Sequence, residues 1–343
     1  MPLNESKMML ATADAVSVQK VHAKAVGEFL DAERTRANVV GIGLGVKWKN
    51  GQPTGDPAVL VLVTHKIEKD ALSKGDLIPA KVDEMQTDVL AIGYPMAGGA
   101  EQPGIQTLAK RVRPAKGGYS VGHKNITAGT IATGAYDILP GGTISPPTHG
   151  VGIPPKFYLL SNNHVLANSN AASLGDHILQ PGPFDGGTDP ADLIATLSRF
   201  IPINFAVGAS NLVDAALGEV QFHDLDREVY WNGPVRGWKR KSGVTVGMIV
   251  KKTGRTTNFT TGRITAINAT VNVNYGGGKV GRFVDQIVTT NMSAGGDSGS
   301  LVMTLDNVAV GLLFAGSSVA MIANQIENVR ALLRVEVAEQ IVP

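Results

Sequence analysis

From residue 117 onward the sequence alternates short apolar runs with glycine-rich turns, and this rhythm limits the possible fold more than any other feature. Each run has the length of a β-strand. Glycine accounts for 41 of the 343 residues, against a usual share of about 7%. The pattern argues against helical bundles and coiled coils and predicts an all-β sandwich or barrel. The runs are 126–133, 157–161, 212–220, 246–251, 262–273, 286–290, 300–304 and 308–314.

Two segments depart from the strand pattern. Ile322, Ile326, Val329 and Leu333 have the spacing of one helix face, which predicts a C-terminal helix over about 322–335. The first 115 residues mix helical and strand patterns and predict a small α+β unit. Its expected elements are a helix within 12–36, strands 39–46 and 58–63 joined by a hairpin, a short helix 69–73, a strand 87–92 and a Gly/Pro-rich linker 95–104.

Near residue 115 the mixed helical and strand patterns give way to short apolar runs and glycine turns, and this change predicts two domains. Residues 1–115 would form an N-terminal α+β domain, and residues 116–343 would form the mainly β domain. The N-terminal part carries no recognisable chemistry. Its role stays open between a folding or inhibitory domain, a substrate-recruiting module and a surface through which the chain forms a homo-oligomer.

Charge and residue usage exclude several function classes. The net charge of +2 and the absence of long basic runs argue against a nucleic-acid partner. The chain has no cysteine, which excludes disulfides, thiolate metal sites and cysteine nucleophiles. No apolar stretch is long enough for a membrane span, and residues 1–27 lack the apolar core of a signal peptide. We therefore expect a cytoplasmic protein without a membrane partner.

No cofactor or metal is expected. His223, Asp224 and Asp226 are close in sequence but lack the ligand spacing of a metal site, so they indicate a solvated turn. The segment 275–279, YGGGK, lacks the Gly-Lys-Ser/Thr ending of a phosphate loop and is typical of a hairpin turn.

Three motifs carry residues suited to nucleophilic catalysis. His164 stands at the end of an apolar strand in SNNHVL, Asp214 lies within NLVDAAL, and Ser298 lies in the turn AGGDSGS. A serine hydroxyl needs a neighbouring base. A histidine, with a free pKa of about 6.5, can accept that proton at neutral pH. A buried carboxylate can hold the imidazole in the required tautomer.

The glycines around Ser298 predict the remaining part of such a site. They permit unusual backbone dihedral angles and the close approach of a substrate oxygen. The N–H groups of Gly296 and Ser298 would then form an oxyanion hole. Each feature alone has a plainer explanation, since a lone histidine is usually solvated and a glycine-rich turn can be only a turn. Asp192 and Asp224 are rivals of Asp214 for the carboxylate.

Taken together and in the order His164, Asp214, Ser298, these motifs resemble the trypsin/chymotrypsin-fold serine peptidases. The likeness covers about residues 117–335. The stretch 252–264, KTGRTTNFTTGRI, is similar to a bacterial branch that resembles the plant narrow-leaf-type trypsin-like proteins, which also carry an extra N-terminal domain.

The resemblance implies two six-stranded antiparallel β-barrels, over about 117–225 and 235–320, with the site between them. His164 and Asp214 would come from the first barrel and Ser298 from the second. Family members place the primary substrate pocket around the position six residues before the serine. Here the corresponding residues are Met292, Phe314, Ala315 and Gly316, which favour a small or apolar side chain.

Two departures from the family pattern bear on activity. The histidine motif reads Asn162-Asn163-His164-Val165, without the usual cysteine. In secreted members a terminus released by cleavage pairs with the aspartate before the serine. Here about 115 residues precede the barrels, so Asp297 needs another partner. The sequence thus predicts a serine endopeptidase acting on proteins or peptides. The alternative is a gated or inactive protease-like barrel that binds peptides or partner chains.

Overall fold

Strands make up most of the regular secondary structure in the computed structural model, which describes residues 4–31, 36, 38–97 and 108–343. The α-helices are α1 Thr12–Phe29, α2 Asn163–Leu166 and α3 Ile326–Leu333, and single 3-10 turns span Glu5–Met8, Lys69–Ala71, Pro183–Asp185 and Lys241–Gly243. The strands are β1 Val39–Lys49, β2 Gln52–Val63, β3 Lys81–Val82, β4 Met85–Ala91, β5 Met96–Ala97, β6 Ala115–Gly117, β7 Ser120–His123, β8 Gly129–Thr130, β9 Gly134–Asp137, β10 Phe157–Ser161, β11 His177–Leu179, β12 Leu193–Phe200, β13 Ala216–Val220, β14 Leu225–Val229, β15 Gly233–Pro234, β16 Gly237–Lys239, β17 Ile249–Gly254, β18 Asn258–Asn274, β19 Val280–Thr290, β20 Leu301–Thr304, β21 Val308–Gly316, β22 Ala320–Gln325, β23 Val335–Glu336 and β24 Gln340–Val342.

The N-terminal unit is a helix packed on a β-hairpin. Strands β1 and β2 pair antiparallel across the turn Asn50-Gly51, both with positive φ, and β4 adds parallel to β2. Val18 and Phe29 of α1 pack into the same apolar cluster as Ile42 and other strand residues. The predicted helix, hairpin and third strand are confirmed. The helix ends at Phe29, and residues 98–104 of the predicted linker lie outside the described residues.

This hairpin is continuous with the sheet of the second barrel. Strand β1 pairs antiparallel with β18, with Gly41 opposite Val271. The sheet therefore runs in the order β17-β20-β21-β22-β19-β18-β1-β2-β4-β3. Close approach requires glycine at position 41, because a Cβ there would lie 2.7 Å from the carbonyl oxygen of Thr270. One sheet thus contains strands from both sides of the domain boundary predicted at residue 115. The division into two domains stays a prediction.

The first barrel is built on a sheet in the order β23-β9-β10-β13-β12-β11-β7-β8. Strands β10 and β13 pair antiparallel, with Leu160 opposite Leu217 and Ser161 opposite Ala216. This register puts the end of β10 beside the start of β13. The two strands supply both faces of the sheet, since Leu160 and Leu217 enter one apolar cluster and Leu159 and Ala216 enter another. Burial on both faces fixes the position of the strand ends that lead to the site.

The C-terminal helix is shorter than the sequence predicted. Residues 320–325 form β22, which pairs with β19 and β21 and is buried along its whole length. A strand buried on both faces has no periodicity that separates it from a buried helix, so the expectation of a helix from Ile322 was wrong. Helix α3 begins at Ile326 and buries Ile326, Val329 and Leu333, as the spacing indicated.

The predicted fold class is confirmed. The chain is mainly β, with a double antiparallel barrel and a C-terminal helix behind a small α+β unit. Among the described residues, no helix combines the length and apolar character that a membrane crossing needs.

Candidate active site

His164 and Asp214 meet at the strand ends of the first barrel. His164 lies in α2, the single helical turn that follows β10, and Asp214 lies two residues before β13. The Nδ1 atom of His164 is 2.6 Å from Oδ2 of Asp214. The main-chain N–H of His164 also donates to Oδ1 of Asp214 over 3.1 Å. The pairing of β10 with β13 therefore brings together the two residues that the sequence predicted as partners.

Asp214 is fully buried, and polar side chains hold both its backbone and its carboxylate. Asn162 donates through its side-chain amide to the carbonyl oxygen of Asp214 over 2.7 Å. The main-chain N–H of Asp214 donates to Oδ1 of Asn324 over 3.1 Å. The hydroxyl of Tyr275 donates to Oδ2 of Asp214 over 2.7 Å. The two asparagines thus hold the backbone of Asp214, and the tyrosine hydroxyl donates to its carboxylate, which would be costly to bury unpaired.

Sequence reasoning missed Tyr275. It saw this segment only as a hairpin turn, and that prediction is correct: Tyr275 and Lys279 close the turn between β18 and β19. Tyr275 is 61 positions from Asp214 along the chain. Burial, followed by the negative charge of Asp214, raises the pKa of the Tyr275 hydroxyl well above 10. No sequence signal links a turn tyrosine to a carboxylate in another barrel.

Ser298 lies in the turn between β19 and β20 and docks against the first barrel. Its carbonyl oxygen accepts the N–H of Thr130 over 2.7 Å, and the carbonyl of Thr130 accepts the hydroxyl of Ser161 over 2.7 Å. Ser161 is the last residue of β10, three positions before His164. The fold therefore places the serine turn next to the strand that leads to the histidine.

The hydroxyl of Ser298 contacts the backbone of β21 and makes no hydrogen bond to His164. Its Oγ is 3.5 Å from the carbonyl oxygen of Phe314. The Nε2 atom of His164 is buried, and no described residue hydrogen-bonds to it. Of the two ring nitrogens of His164, Nδ1 is hydrogen-bonded to Asp214 and Nε2 is not. Nε2 is the atom with which a general base would accept the serine proton.

The carboxylate of Asp297 fixes the serine turn through hydrogen bonds to the residues around it. Its Oδ2 accepts hydrogen bonds from Lys252 Nζ at 3.1 Å, from the Thr257 hydroxyl at 2.6 Å and from the Ala294 N–H at 3.0 Å. Its Oδ1 accepts the N–H groups of Thr256 and Thr257 at 2.8 and 3.1 Å. The side chains of Lys252 and Asp297 are both fully buried. Burial lowers the pKa of Lys252, and the charge of Asp297 opposes that effect.

The backbone of the serine turn has the features that the sequence suggested. Gly296 and Gly299 have φ angles of +92° and +95°, in the region that favours glycine. The N–H groups of Asp297 and Gly299 donate to backbone carbonyls. Within the described part of the chain, no acceptor takes the N–H of Gly296 or Ser298. These two donors are thus uncommitted on either side of Asp297.

The four residues expected around the substrate pocket fall into two groups. Phe314, Ala315 and Gly316 end β21, and the carbonyl of Phe314 faces the Ser298 hydroxyl. Phe314 and Ala315 belong to one apolar cluster, whereas Met292 is buried in another. The structure thus places the carbonyl of Phe314 at the serine hydroxyl and packs Met292 in the cluster that also holds Leu313, and the substrate pocket itself stays a prediction.

The two rival aspartates are committed elsewhere. Asp192 accepts the N–H of Thr188 over 2.9 Å and pairs with Arg111. Asp224 lies 3.8 Å from Arg113. Of the three aspartates considered from the sequence, Asp214 is the one that contacts His164. The described residues contain no group of three or more His, Asp or Glu side chains arranged to hold a metal ion.

Comparison with known proteins finds a family model and two curated relatives, each matching part of the chain. The family model described as the NARROW LEAF 1 N-terminal domain matches residues 21–93. The chain is 39% identical over 94 residues to Serine protease 2 of Streptomyces fradiae, covering 27% of this chain and 51% of that protein. It is 42% identical over 91 residues to Glutamyl endopeptidase 2 of Streptomyces griseus, covering 26% of this chain and 43% of that protein. The matches span about half the length of these curated relatives.

Among solved structures, Thermobifida fusca protease A aligns with 64% of this chain and 96% of its own, at 16% identity and a TM-score of 0.44. The resemblance stated from the sequence motifs is confirmed. The chain is similar to bacterial trypsin/chymotrypsin-fold serine peptidases and carries a match to the narrow-leaf-type N-terminal domain.

Proposed function

We propose that this chain is a serine endopeptidase that hydrolyses peptide bonds with His164, Asp214 and Ser298. The observation that carries the proposal is the hydrogen bond between His164 Nδ1 and the fully buried Asp214, 2.6 Å long, on the strand ends against which the Ser298 turn docks. Identity to bacterial serine peptidases supports the same reaction class. The substrate would be a protein or peptide.

The proposed reaction has two halves. In the first, Ser298 Oγ attacks the carbonyl carbon of the peptide bond while His164 Nε2 takes the hydroxyl proton. The imidazolium gives that proton to the leaving amine, which departs as the acyl-enzyme forms. In the second, water repeats the sequence and releases the acid. Asp214 stabilises the imidazolium, and the N–H groups of Gly296 and Ser298 stabilise the oxyanion.

The Lys252–Asp297 pair supports a site that needs no released terminus. Asp297 requires a cation because it is fully buried, and Lys252 of β17 supplies one from within the fold. Two threonine N–H groups, a threonine hydroxyl and the N–H of Ala294 complete the shell. The serine turn would then keep its shape without a cleavage that creates a new amine. This observation favours constitutive activity over gating by processing.

One observation favours the alternative, a protease-like barrel that binds peptides without cutting them. The Ser298 hydroxyl contacts the carbonyl oxygen of Phe314 at 3.5 Å, and no described residue, Ser298 included, hydrogen-bonds to His164 Nε2. A pure binder would not require an activated serine. The two functions differ in one measurable property, which is the nucleophilicity of Ser298.

Labelling with a fluorophosphonate tests the proposal. We expect one covalent adduct, located on the peptide that contains Ser298 by mass spectrometry. The Ser298→Ala variant should lose the adduct, and Ser318→Ala, which alters an exposed turn, should keep it. No adduct on the wild-type chain, or an adduct that persists in Ser298→Ala, would overturn the endopeptidase assignment and favour the binding module.

A further inference from the structure

The hydroxyl of Tyr275 reaches the carboxylate of Asp214 from a different barrel. It donates to Oδ2 over 2.7 Å, the same oxygen that faces His164 Nδ1 at 2.6 Å. The tyrosine ring lies edge-on to the imidazole, with 6.0 Å between ring centroids. Phe205 and Phe283 flank the ring at 5.3 and 6.0 Å. The hydroxyl is therefore held in place by packing as well as by its hydrogen bond.

This hydrogen bond completes the shell of the carboxylate. One oxygen of Asp214 accepts the main-chain N–H of His164, and the other accepts both the imidazole and the tyrosine hydroxyl. A donor to an ionised carboxylate makes a strong hydrogen bond and takes up part of its charge. Tyr275 keeps its proton, since its pKa is raised, and so acts as a neutral donor.

We infer that Tyr275 is a positioning residue for the proposed hydrolysis, acting through Asp214 on the orientation and charge environment of His164. The inference rests on the proposed function. Without the hydroxyl, the imidazole would be the remaining side-chain donor to Oδ2. The carboxylate could then rotate more freely, and more of its charge would face the imidazolium.

The test compares Tyr275→Phe with Tyr158→Phe. Tyr158 is the matched control, because its hydroxyl also donates to a carboxylate, that of Asp137, over 2.8 Å in the first barrel. In Tyr275→Phe we expect kcat to fall about 10-fold, the loss typical of a hydrogen bond to a charged group. KM should stay within about 2-fold. The acid limb of the kcat/KM profile should move to higher pH, because the protonated imidazole is better stabilised.

A spectroscopic readout separates this inference from the proposed function. The Nδ1 proton of His164 should give a low-field proton NMR signal, assigned by its loss in Asp214→Asn. Tyr275→Phe should shift that signal, and Tyr158→Phe should leave it in place, whether or not the chain hydrolyses peptides. An unshifted signal in Tyr275→Phe, or unchanged kcat and pH profile in an active enzyme, would overturn the positioning role.

A second, independent observation concerns β5, the two-residue strand Met96–Ala97. It pairs antiparallel with the end of β21, with Ala97 opposite Ala315 and Met96 opposite Gly316. Its other flank contacts β18, where Asn274 lies beside Met96. A segment from the N-terminal part of the chain is thus built into the second barrel as an extended strand.

The edge that β5 covers is the edge beside the serine. Strand β22 pairs with one edge of β21. Strand β20 pairs with the other edge as far as Leu312, and the serine turn continues along it, because Gly299 donates to the carbonyl of Leu313. Phe314 is the next residue along this edge, and its carbonyl faces Ser298. Ala315 and Gly316 follow it, and these are the two residues that pair with β5. An open strand edge next to a nucleophile is where an extended peptide would add as a strand.

We propose that Met96–Ala97 occupy the position of a substrate main chain. They would compete with extended peptides for pairing with the edge of β21 at Ala315 and Gly316. This proposal also rests on the proposed function. A substrate that spans several residues must displace β5, whereas a small ester that fills only the space at Ser298 need not. The apparent affinity for long substrates is then reduced by the fraction of molecules with the edge covered.

Kinetics on a double proline variant test the competition. Met96→Pro with Ala97→Pro removes both strand N–H groups, and Met96→Ser with Ala97→Ser keeps them as a matched control. In the proline variant we expect KM for an extended peptide to fall at least about 3-fold with kcat unchanged. KM for a small ester should not change. A peptide KM in the proline variant equal to or above that of the serine variant contradicts the proposal.

Hydrogen exchange provides a readout that needs no turnover. In full-length Ser298→Ala, a saturating extended peptide should speed amide exchange in residues 94–97, because the peptide displaces β5. The peptide should slow exchange at Ala315 and Gly316. Unchanged exchange of residues 94–97 overturns the competition, and absent hydrolysis by the wild-type chain would instead count against the proposed function.

Discussion

The ammonium of Lys252 lies 3.1 Å from Oδ2 of Asp297, and both side chains are fully buried beneath the serine turn. Lys252 belongs to β17, and Asp297 directly precedes Ser298. The pair therefore connects the stability of the second barrel to the shape of the turn that would bind an oxyanion.

Removal of this cation should damage both stability and activity. We expect Lys252→Met to lower the free energy of unfolding by about 3–5 kcal/mol, because a buried carboxylate loses its ionic partner. Fluorophosphonate labelling of Ser298 should slow in parallel. Urea unfolding and labelling rates measure the two effects. Lys251→Met is the control, because the Lys251 ammonium donates only to the carbonyl of Leu305 among its described partners. Equal losses in the two variants would contradict the anchoring role.

Asp214→Asn should abolish most turnover without unfolding the chain. In the serine peptidase template the same change lowers kcat by roughly 10⁴-fold, because the histidine takes the wrong tautomer. We expect a loss of that order, measured with a chromogenic ester. Asp224→Asn is the matched control, because Asp224 lies near Arg113 and not near His164. The activity of this variant should stay within about 2-fold of the wild-type activity. A loss below 10-fold in Asp214→Asn would argue against the triad.

Gly299→Ala should disrupt the serine turn. A Cβ at this position would lie 2.1 Å from the Ser161 hydroxyl and 2.2 Å from the Thr130 carbonyl, and φ is +95°. We expect loss of Ser298 labelling and a lower melting temperature. Gly175→Ala is the control, because its φ is +89° but nothing lies within 4 Å of the added Cβ. That control should show only the strain of about 1–3 kcal/mol. Similar labelling by both variants would show that the close packing is unimportant.

His22 should make stability depend on pH. It is buried in α1, and burial lowers its pKa below 6.5, although backbone contacts with Ile42 and Asn268 oppose the shift. The unfolded chain then binds the proton more readily than the folded chain. The free energy of unfolding should therefore fall as pH drops below about 6.5, by at most about 1.4 kcal/mol per pH unit for one proton.

Urea unfolding at pH 7.5 and 5.5 checks this dependence. His22→Gln should reduce the difference between the two pH values. His223→Gln should retain it, since that side chain is 80% exposed. If His22→Gln keeps the full wild-type difference, the acid sensitivity arises from other groups.

The sequence alone identified the features that local chemistry controls. Short apolar runs and glycine turns predicted the strands, and the motifs around His164, Asp214 and Ser298 predicted the site residues. The strand and turn predictions succeed because strand length, turn formation and positive φ depend on a residue and its near neighbours, whereas the catalytic roles of the three site residues stay a proposal. The approach failed at Ile322, where burial on both faces removes the periodicity that separates a strand from a helix.

Only the tertiary structure decided which partners these residues have. Lys251, Lys252 and Arg255 lie within five positions, yet only Lys252 of the three pairs with Asp297, while Arg255 contacts Asp185. Tyr275 meets Asp214 across 61 positions. Strand β5 reaches β21 from the N-terminal part of the chain. The physical reason is that such contacts depend on strand order, register and the face that each side chain occupies, and residues far apart in sequence set these jointly.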